Sequence, residues 1–208
     1  MSSISIFAVD VGSPKNFAWV SDAGQQGKDG DSLTAAITKS FATGRRIALG
    51  IECPLFIPVP LHWDAIGKAR VGEGNRSWSG GAGATVTTYG LQEVAWTLDQ
   101  LRRTGNAETP IFFSPESWLL SSEPGLLLWE AFVTRTEKGL DHKDDAARAC
   151  RAFQQLLKRK AWDEARNVKI CNGAQAFNLA ALAAEWAGWQ VEPDDYRSEL
   201  LVVKPAKV

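Results

Sequence analysis

Three short apolar runs in the sequence each end at, or contain, a carboxylic acid. Asp10 follows the first run, Glu52 follows the second, and Glu130 lies inside the third, Leu-Leu-Leu-Trp-Glu-Ala-Phe-Val. Removing an ionised carboxylate from water costs several kcal/mol unless the group is paired or binds a metal. Three acids in such surroundings indicate a shared cause, namely a site that needs buried carboxylates.

The same runs and the segments between them predict the fold class. Residues 4–9 and 47–51 have the length of buried strands, and 126–133 is typical of a central strand covered on both faces. Apolar residues recur at helical spacing over 91–101 and 146–157. Strands that alternate with helices indicate an α/β fold, with a mixed sheet flanked by helices. Further elements predicted in this way are strands over 17–20, 111–113 and 200–203, and helices over 33–41 and 174–187.

The length of 208 residues, with 45% hydrophobic and 23% charged residues, suits one folded domain over 1–208. We predict a long irregular insert at about 54–90, because this stretch is rich in proline and glycine. Arg70 and Arg76 lie in it, beside a Gly-rich segment whose backbone amides could bind phosphate. Two interpretations stay open for this segment: a mobile surface loop, or a substrate lid over the acids.

Charge and apolar content limit the classes of partner. No apolar run approaches the roughly 18 residues that span a membrane, so we expect no membrane partner. The three cysteines are scattered and odd in number, which favours reduced thiols in a cytoplasmic protein. The net charge of −1 lacks the basic signature of many nucleic-acid-binding proteins, so binding to nucleic acid would depend on local contacts. The sequence does not indicate an oligomeric state.

A fourth acid emerges from the helix predicted over 146–157. Asp145 borders the apolar stripe of this helix, whereas Asp144 belongs to its polar face and Asp141 is placed to cap it. His142 precedes Asp145 by three residues and therefore lies on the same side. It could assist the chemistry or help to position Asp145.

These acids form a candidate metal site. Ligands gather at the carboxyl ends of strands in open α/β sheets, where we expect Asp10 and Glu52. Hard divalent cations such as Mg²⁺ and Mn²⁺ prefer several oxygen ligands, so we predict that Asp10, Glu52 and Asp145 bind one of them. Glu130 would be a further ligand or an orienting group.

Four segments, in this order, resemble the motifs of the predicted ribonuclease H-like nucleases, a domain family of unknown function. The resemblance spans residues 4–155 and implies a ribonuclease H-like sheet, with acids on the first strand, the fourth strand, a later strand and the following helix. Glu52 stands where the family usually has Asp, and the proline expected after Glu130 is missing. The segments are residues 10–13 (Asp-Val-Gly-Ser), 50–55 (Gly-Ile-Glu-Cys-Pro-Leu), 129–132 (Trp-Glu-Ala-Phe) and 142–147 (His-Lys-Asp-Asp-Ala-Ala).

The leading interpretation is a metal-dependent nuclease that hydrolyses phosphodiesters, with two Mg²⁺ or Mn²⁺ ions and nucleic acid or a smaller phosphoester as substrate. An alternative is a catalytically silent ribonuclease H-like module that binds a ligand in a Trp-rich groove. A third is an ATP-using kinase of the actin and hexokinase fold, whose first phosphate loop residues 10–13 resemble, although that fold usually needs a second domain. The predicted catalytic residues are Asp10, Glu52, Glu130, Asp145 and His142, and the predicted substrate-binding residues are Arg70 and Arg76.

Overall fold

A computed structural model describes residues 3–74, 77–133, 137–165 and 168–206. Within these ranges the fold is α/β, with a mixed sheet flanked by helices, which confirms the predicted class. The elements are, in chain order, β1 (Ile4–Asp10), β2 (Ala18–Ser21), β3 (Gln26–Gly27), α1 (Gly30–Ala42), β4 (Arg46–Ile51), β5 (Phe56–Pro60), α2 (Ala82–Leu101), β6 (Ile111–Phe112), α3 (Pro115–Leu120), β7 (Leu126–Ala131), α4 (His142–Arg159), α5 (Trp162–Ala165), β8 (Ala174–Asn178), α6 (Leu179–Trp186) and β9 (Val202–Val203).

The main sheet joins an antiparallel half to a parallel half. The described strands follow the order β3-β2-β1-β4-β7-β6, and β9 pairs with β7 along the same edge as β6. Strands β1, β2 and β3 are antiparallel, whereas β1, β4 and β7 run parallel to one another. The carboxyl ends of β1, β4 and β7 therefore meet at one edge of the sheet.

Helices cover both faces of the sheet, and the pleat divides the strand side chains between two apolar clusters. Leu49 and Leu128 pack on the face covered by α1, α2 and α6, which we call face A. Ala48 and Trp129 pack on the opposite face under α3, α4 and α5, which we call face B. None of the helices in the described ranges combines the length and the apolar character that a membrane crossing requires.

The segment 54–90 is more regular than the sequence predicted. It contains β5, a short 3₁₀ turn at Trp63–Ala65 and the first turns of α2. Strand β5 pairs antiparallel with β8, a long-range contact that no local pattern reveals. Helix α2 begins at Ala82 in spite of its glycine and threonine residues, because Val86 packs on the face A cluster. Regular structure is thus present at 56–60 and from 82 onward, with one 3₁₀ turn at 63–65 between them.

The alanine-rich segment 174–187 was predicted to be one helix, which is wrong for its first five residues. They form β8 instead, since pairing with β5 outweighs the local preference for helix. Asn178 then accepts a hydrogen bond from the Ala181 amide at 2.9 Å and caps α6. Helix α1 begins at Gly30, after the cap Asp29, three residues before the predicted start of this helix at residue 33.

Gly50 tests the packing at the centre of face B. Alanine there would place a Cβ 2.1 Å from Cζ2 of Trp129, whose ring stacks on Phe153 of α4 at 4.6 Å between centroids. We expect Gly50→Ala to lower the free energy of unfolding by about 1–3 kcal/mol, the usual cost of overpacking a core. Gly80→Ala is the control, because its Cβ would meet nothing within 4 Å. Urea unfolding measures both, and equal stability of the two variants would contradict the packing described here.

Candidate metal centre

Three acids that are distant in the sequence meet at the carboxyl edge of the sheet. Asp10 is the last residue of β1, Glu52 directly follows β4, and Asp145 lies in the first turn of α4. Each offers one carboxylate oxygen, and these three atoms all lie within 4.8 Å of one another. The structure thus brings together the three residues predicted as metal ligands, which we call the acid cluster. The cluster could bind a metal ion.

Strand pleat and helix capping explain this convergence. Asp10 continues the alternation of Ile6 and Ala8, so its side chain lies on face B, the face that α4 covers. The Glu52 amide donates to the carbonyl of Val9 at 2.9 Å and extends the pairing of β1 with β4 by one residue. Helix α4 starts beside these strand ends, and its buried stripe presents Asp145 to them.

Burial shapes the electrostatics of the cluster. It raises the pKa of Asp10, against the lowering effect of the hydrogen bonds from His142 and Glu52. It raises the pKa of Glu52 well above its ordinary value, and repulsion from Asp10 acts in the same direction. Glu52 Oε2 is buried and has no hydrogen-bonding partner within the described residues. A cation would relieve both the repulsion and this unmatched oxygen.

Two basic side chains lie at the open side of the cluster. His142 Nδ1 is 2.5 Å from Asp10 Oδ2, and Lys138 Nζ is 3.5 Å from Asp145 Oδ2. Their side chains are 48% and 50% exposed, whereas those of Asp10 and Asp145 are each 5% exposed. His142 thus contacts Asp10, whereas Asp145 accepts a hydrogen bond of 2.5 Å from the Gly139 amide. Among the described contacts, the hydrogen bond of His142 is with Asp10 and not with Asp145, the residue that one of its two expected roles would have it position.

Sequence reasoning missed Lys138 and Glu93. Lys138 lies in the irregular segment before α4, where no periodicity predicts its position. Glu93 of α2 accepts a hydrogen bond from the Gly12 amide at 3.1 Å, two residues beyond Asp10. Burial, opposed by this hydrogen bond and assisted by repulsion from Asp10, raises the pKa of Glu93 to about 7. Glu93 lies three residues after Gly90 and four before Thr97, which are both buried, so helical spacing puts it on the buried side of α2.

Glu130 lies apart from the acid cluster, on the opposite face. In the sheet its neighbour is Ile51, whose side chain belongs to face A, so the pleat directs Glu130 to face A as well. Arg70 binds both of its carboxylate oxygens, at 2.6 and 2.7 Å, and the Leu55 amide donates to Oε2 at 3.0 Å. Since Leu55 follows Glu52 by three residues, Glu130 holds the loop after Glu52. This placement corresponds to an orienting group and leaves no free oxygen pair for a metal.

Arg70 occupies a different position from the exposed one expected for substrate binding. It is 2% exposed and also contacts Glu73 at 2.8 Å and the carbonyl of Phe56 at 3.1 Å. Burial by itself lowers the pKa of Arg70, but the carboxylates of Glu130 and Glu73 raise it above its ordinary value. The guanidinium is thus committed to an internal ion-pair network. Arg76, the other predicted substrate-binding residue, lies outside the described residues.

The composition of the acid cluster indicates which ions fit it. Its three potential ligands are carboxylates, without nitrogen or sulfur, which suits hard divalent cations.

A scan against protein-family models and searches of curated proteins and solved structures found no match to this chain.

The network around Glu130 has a measurable energetic role. Glu130→Gln would remove one of the two carboxylates that pair with the buried Arg70 and leave Glu73, and we expect a loss of about 3 kcal/mol in the free energy of unfolding. Arg103→Gln, which breaks an exposed pair with Asp99, is expected to cost less than about 1 kcal/mol. Urea titrations provide both values. If Glu130→Gln cost no more than the control, the pair would not stabilise the fold.

Glu93 predicts a pH dependence of stability. Its raised pKa means that the native state binds this proton more tightly than the unfolded chain does. Through this group the free energy of unfolding therefore falls as pH rises from about 4.5 to about 7, and stays low above that. We expect Glu93→Gln to flatten this decline in EDTA, whereas Glu108→Gln, at an exposed glutamate, should follow the wild type. Urea unfolding at several pH values measures the slopes, and parallel curves for Glu93→Gln and wild type would contradict this assignment.

Proposed function

We propose that the protein is a metal-dependent nuclease that hydrolyses phosphodiester bonds, with Mg²⁺ or Mn²⁺ held by Asp10, Glu52 and Asp145. One observation carries this proposal: three carboxylate oxygens within 4.8 Å of one another, at the edge where parallel strands end. Ligand sites in open α/β sheets favour this edge. The resemblance to ribonuclease H-like nucleases points to the same positions for the acids.

The sheet topology supports a ribonuclease H-like assignment of the fold. Three antiparallel strands come first, and β4 then pairs in parallel with β1. The resemblance implied acids on the first strand, the fourth strand, a later strand and the following helix. Asp10, Glu52 and Asp145 occupy the first, second and last of these places, whereas Glu130 on β7 lies on the opposite face.

Several residues of the chain can contribute to the reaction. A bound divalent cation supplies Lewis-acid stabilisation of the charge on the phosphoryl oxygens. Lys138, half exposed at the open side, adds positive charge next to Asp145. His142 is oriented by Asp10 through Nδ1, so its second ring nitrogen is available to hold or transfer a proton. Glu130 and Arg70 keep the loop after Glu52 in place.

Metal binding distinguishes this proposal from a catalytically silent module. We expect Mg²⁺ or Mn²⁺ to raise the melting temperature of the wild type, since a ligand that binds only the native state stabilises it. Asp145→Asn should lose most of this response. Asp144→Asn should retain it, because Asp144 pairs with Arg148 on the outer side of α4. A wild type that ignores both metals would contradict the metal site.

Hydrolysis assays test the catalytic step itself. We expect Mg²⁺- or Mn²⁺-dependent cleavage of at least one of single-stranded DNA, duplex DNA, RNA or an RNA–DNA hybrid. Asp145→Asn should abolish the cleavage, and Asp144→Asn should preserve it. Metal binding without cleavage of any of these substrates would favour the silent binding module.

A further inference from the structure

An open groove adjoins the acid cluster on the side of α2. It measures about 470 Å³, and both Gly12 and Glu93 line it. This volume falls within the range of roughly 300–1,000 Å³ that small-molecule sites occupy. The cavity beside Glu52 and Lys138 measures only about 160 Å³.

Aromatic rings give the groove a flat apolar wall. Tyr89 and Trp96 project from α2 and are 43% and 40% exposed, and Phe17 lines the groove from the turn after β1. The ring of Trp96 is held in place, because it lies against Gly30, the first residue of α1. A Cβ at Gly30 would be 2.3 Å from Cζ3 of that ring. A fixed and accessible indole is a suitable surface on which a planar ring can stack.

Carboxylates outnumber cations in the lining of the groove: it contains Glu93, Asp29 and Asp31 against one cation, Lys28, with Gln92 and Thr97 as further polar side chains. Glu93 Oε1 receives the Gly12 amide, while Oε2 has no hydrogen-bonding partner within the described residues. Asp29 and Asp31 contribute further carboxyl groups to the lining. These acids disfavour a phosphate or another anion inside the groove. They favour a planar ligand that carries N–H donors.

We propose that this groove binds a nucleobase with an exocyclic amine, the base of a nucleotide in the substrate whose phosphate reaches the acid cluster. The inference rests on the proposed function, because it takes the cluster to act on nucleotides. Stacking on Trp96 supplies the apolar contact, and the amine donates to Glu93. Gly12 follows Asp10 by two residues and its amide donates to Glu93, and both Gly12 and Glu93 line the groove, so the groove begins next to the acid cluster.

Calorimetry with AMP and ribose 5-phosphate tests the base site, in Mg²⁺ and separately in EDTA. We expect AMP to bind the wild type at least about fivefold more tightly than ribose 5-phosphate in both buffers. Trp96→Ala should remove this preference, and Trp96→Phe should keep most of it. Trp186→Ala is the matched control, because this indole is 72% exposed on α6 and does not line the groove. Thermal melts verify that each variant is folded.

The two proposals fail separately in this design. Equal affinity for AMP and ribose 5-phosphate, no binding of AMP, or a preference that survives in Trp96→Ala would overturn the base site. A preference for AMP in EDTA, together with no response of the melting temperature to metal, would support the base site while the nuclease proposal failed. A response of the melting temperature to metal, without any preference for AMP, would support the nuclease proposal while the base site failed.

CMP and UMP test the role of the amine, since these pyrimidine nucleotides differ at one exocyclic group. At about pH 8, above the pKa of about 7 of Glu93, we expect CMP to bind about tenfold more tightly than UMP, the effect of one hydrogen bond to a charged group. Glu93→Gln should reduce this ratio, because the carboxamide removes the negative charge. Equal binding of CMP and UMP to the wild type would overturn the assignment of Glu93 as the amine acceptor.

Discussion

The register of the parallel strands controls where the buried charge of this protein lies. Glu130 pairs with Ile51, one residue before Glu52, and this single step places the two acids on opposite faces of the sheet. Side chains alternate along a strand, so a shift of one residue would place both acids on the same face. Glu52 thereby joins Asp10 and Asp145 on face B, while Glu130 is left for Arg70 on face A.

The two groups of buried acids differ in how their negative charge is compensated. On face A the carboxylates of Glu130 and Glu73 share one buried guanidinium, so half of their charge is compensated by a buried partner. On face B the three carboxylates meet two half-exposed basic side chains and no buried one within the described residues. The desolvation cost of the cluster is therefore not recovered by internal pairing. Protons or a cation must supply the remaining positive charge, and the raised pKa of Glu52 reflects that need.

Much of the parallel core could be predicted from the sequence, because short apolar runs and a clear amphipathic helix are local signals. The acid cluster could be predicted for the same reason. Two acids at the ends of parallel strands and one at the start of a helix that follows such a strand lie at the same edge of the sheet. The face of the sheet on which Glu130 lies could not be predicted, because it depends on the register between β4 and β7, which no local pattern specifies. The pairing of β5 with β8 and the position of Arg70 are likewise long-range properties of the fold.

Helix α2 connects the acid cluster to the aromatic groove through one short contact. Glu93 receives the Gly12 amide and so fixes the turn that follows Asp10. The same side chain is repelled by the charge on Asp10 and lines the groove beside Trp96. A cation that lowers the negative potential around Asp10 also favours the ionised form of Glu93, which is the better acceptor for a donor in the groove. Under the two proposals, occupation of one site is expected to favour occupation of the other, and thermodynamic linkage makes this coupling reciprocal.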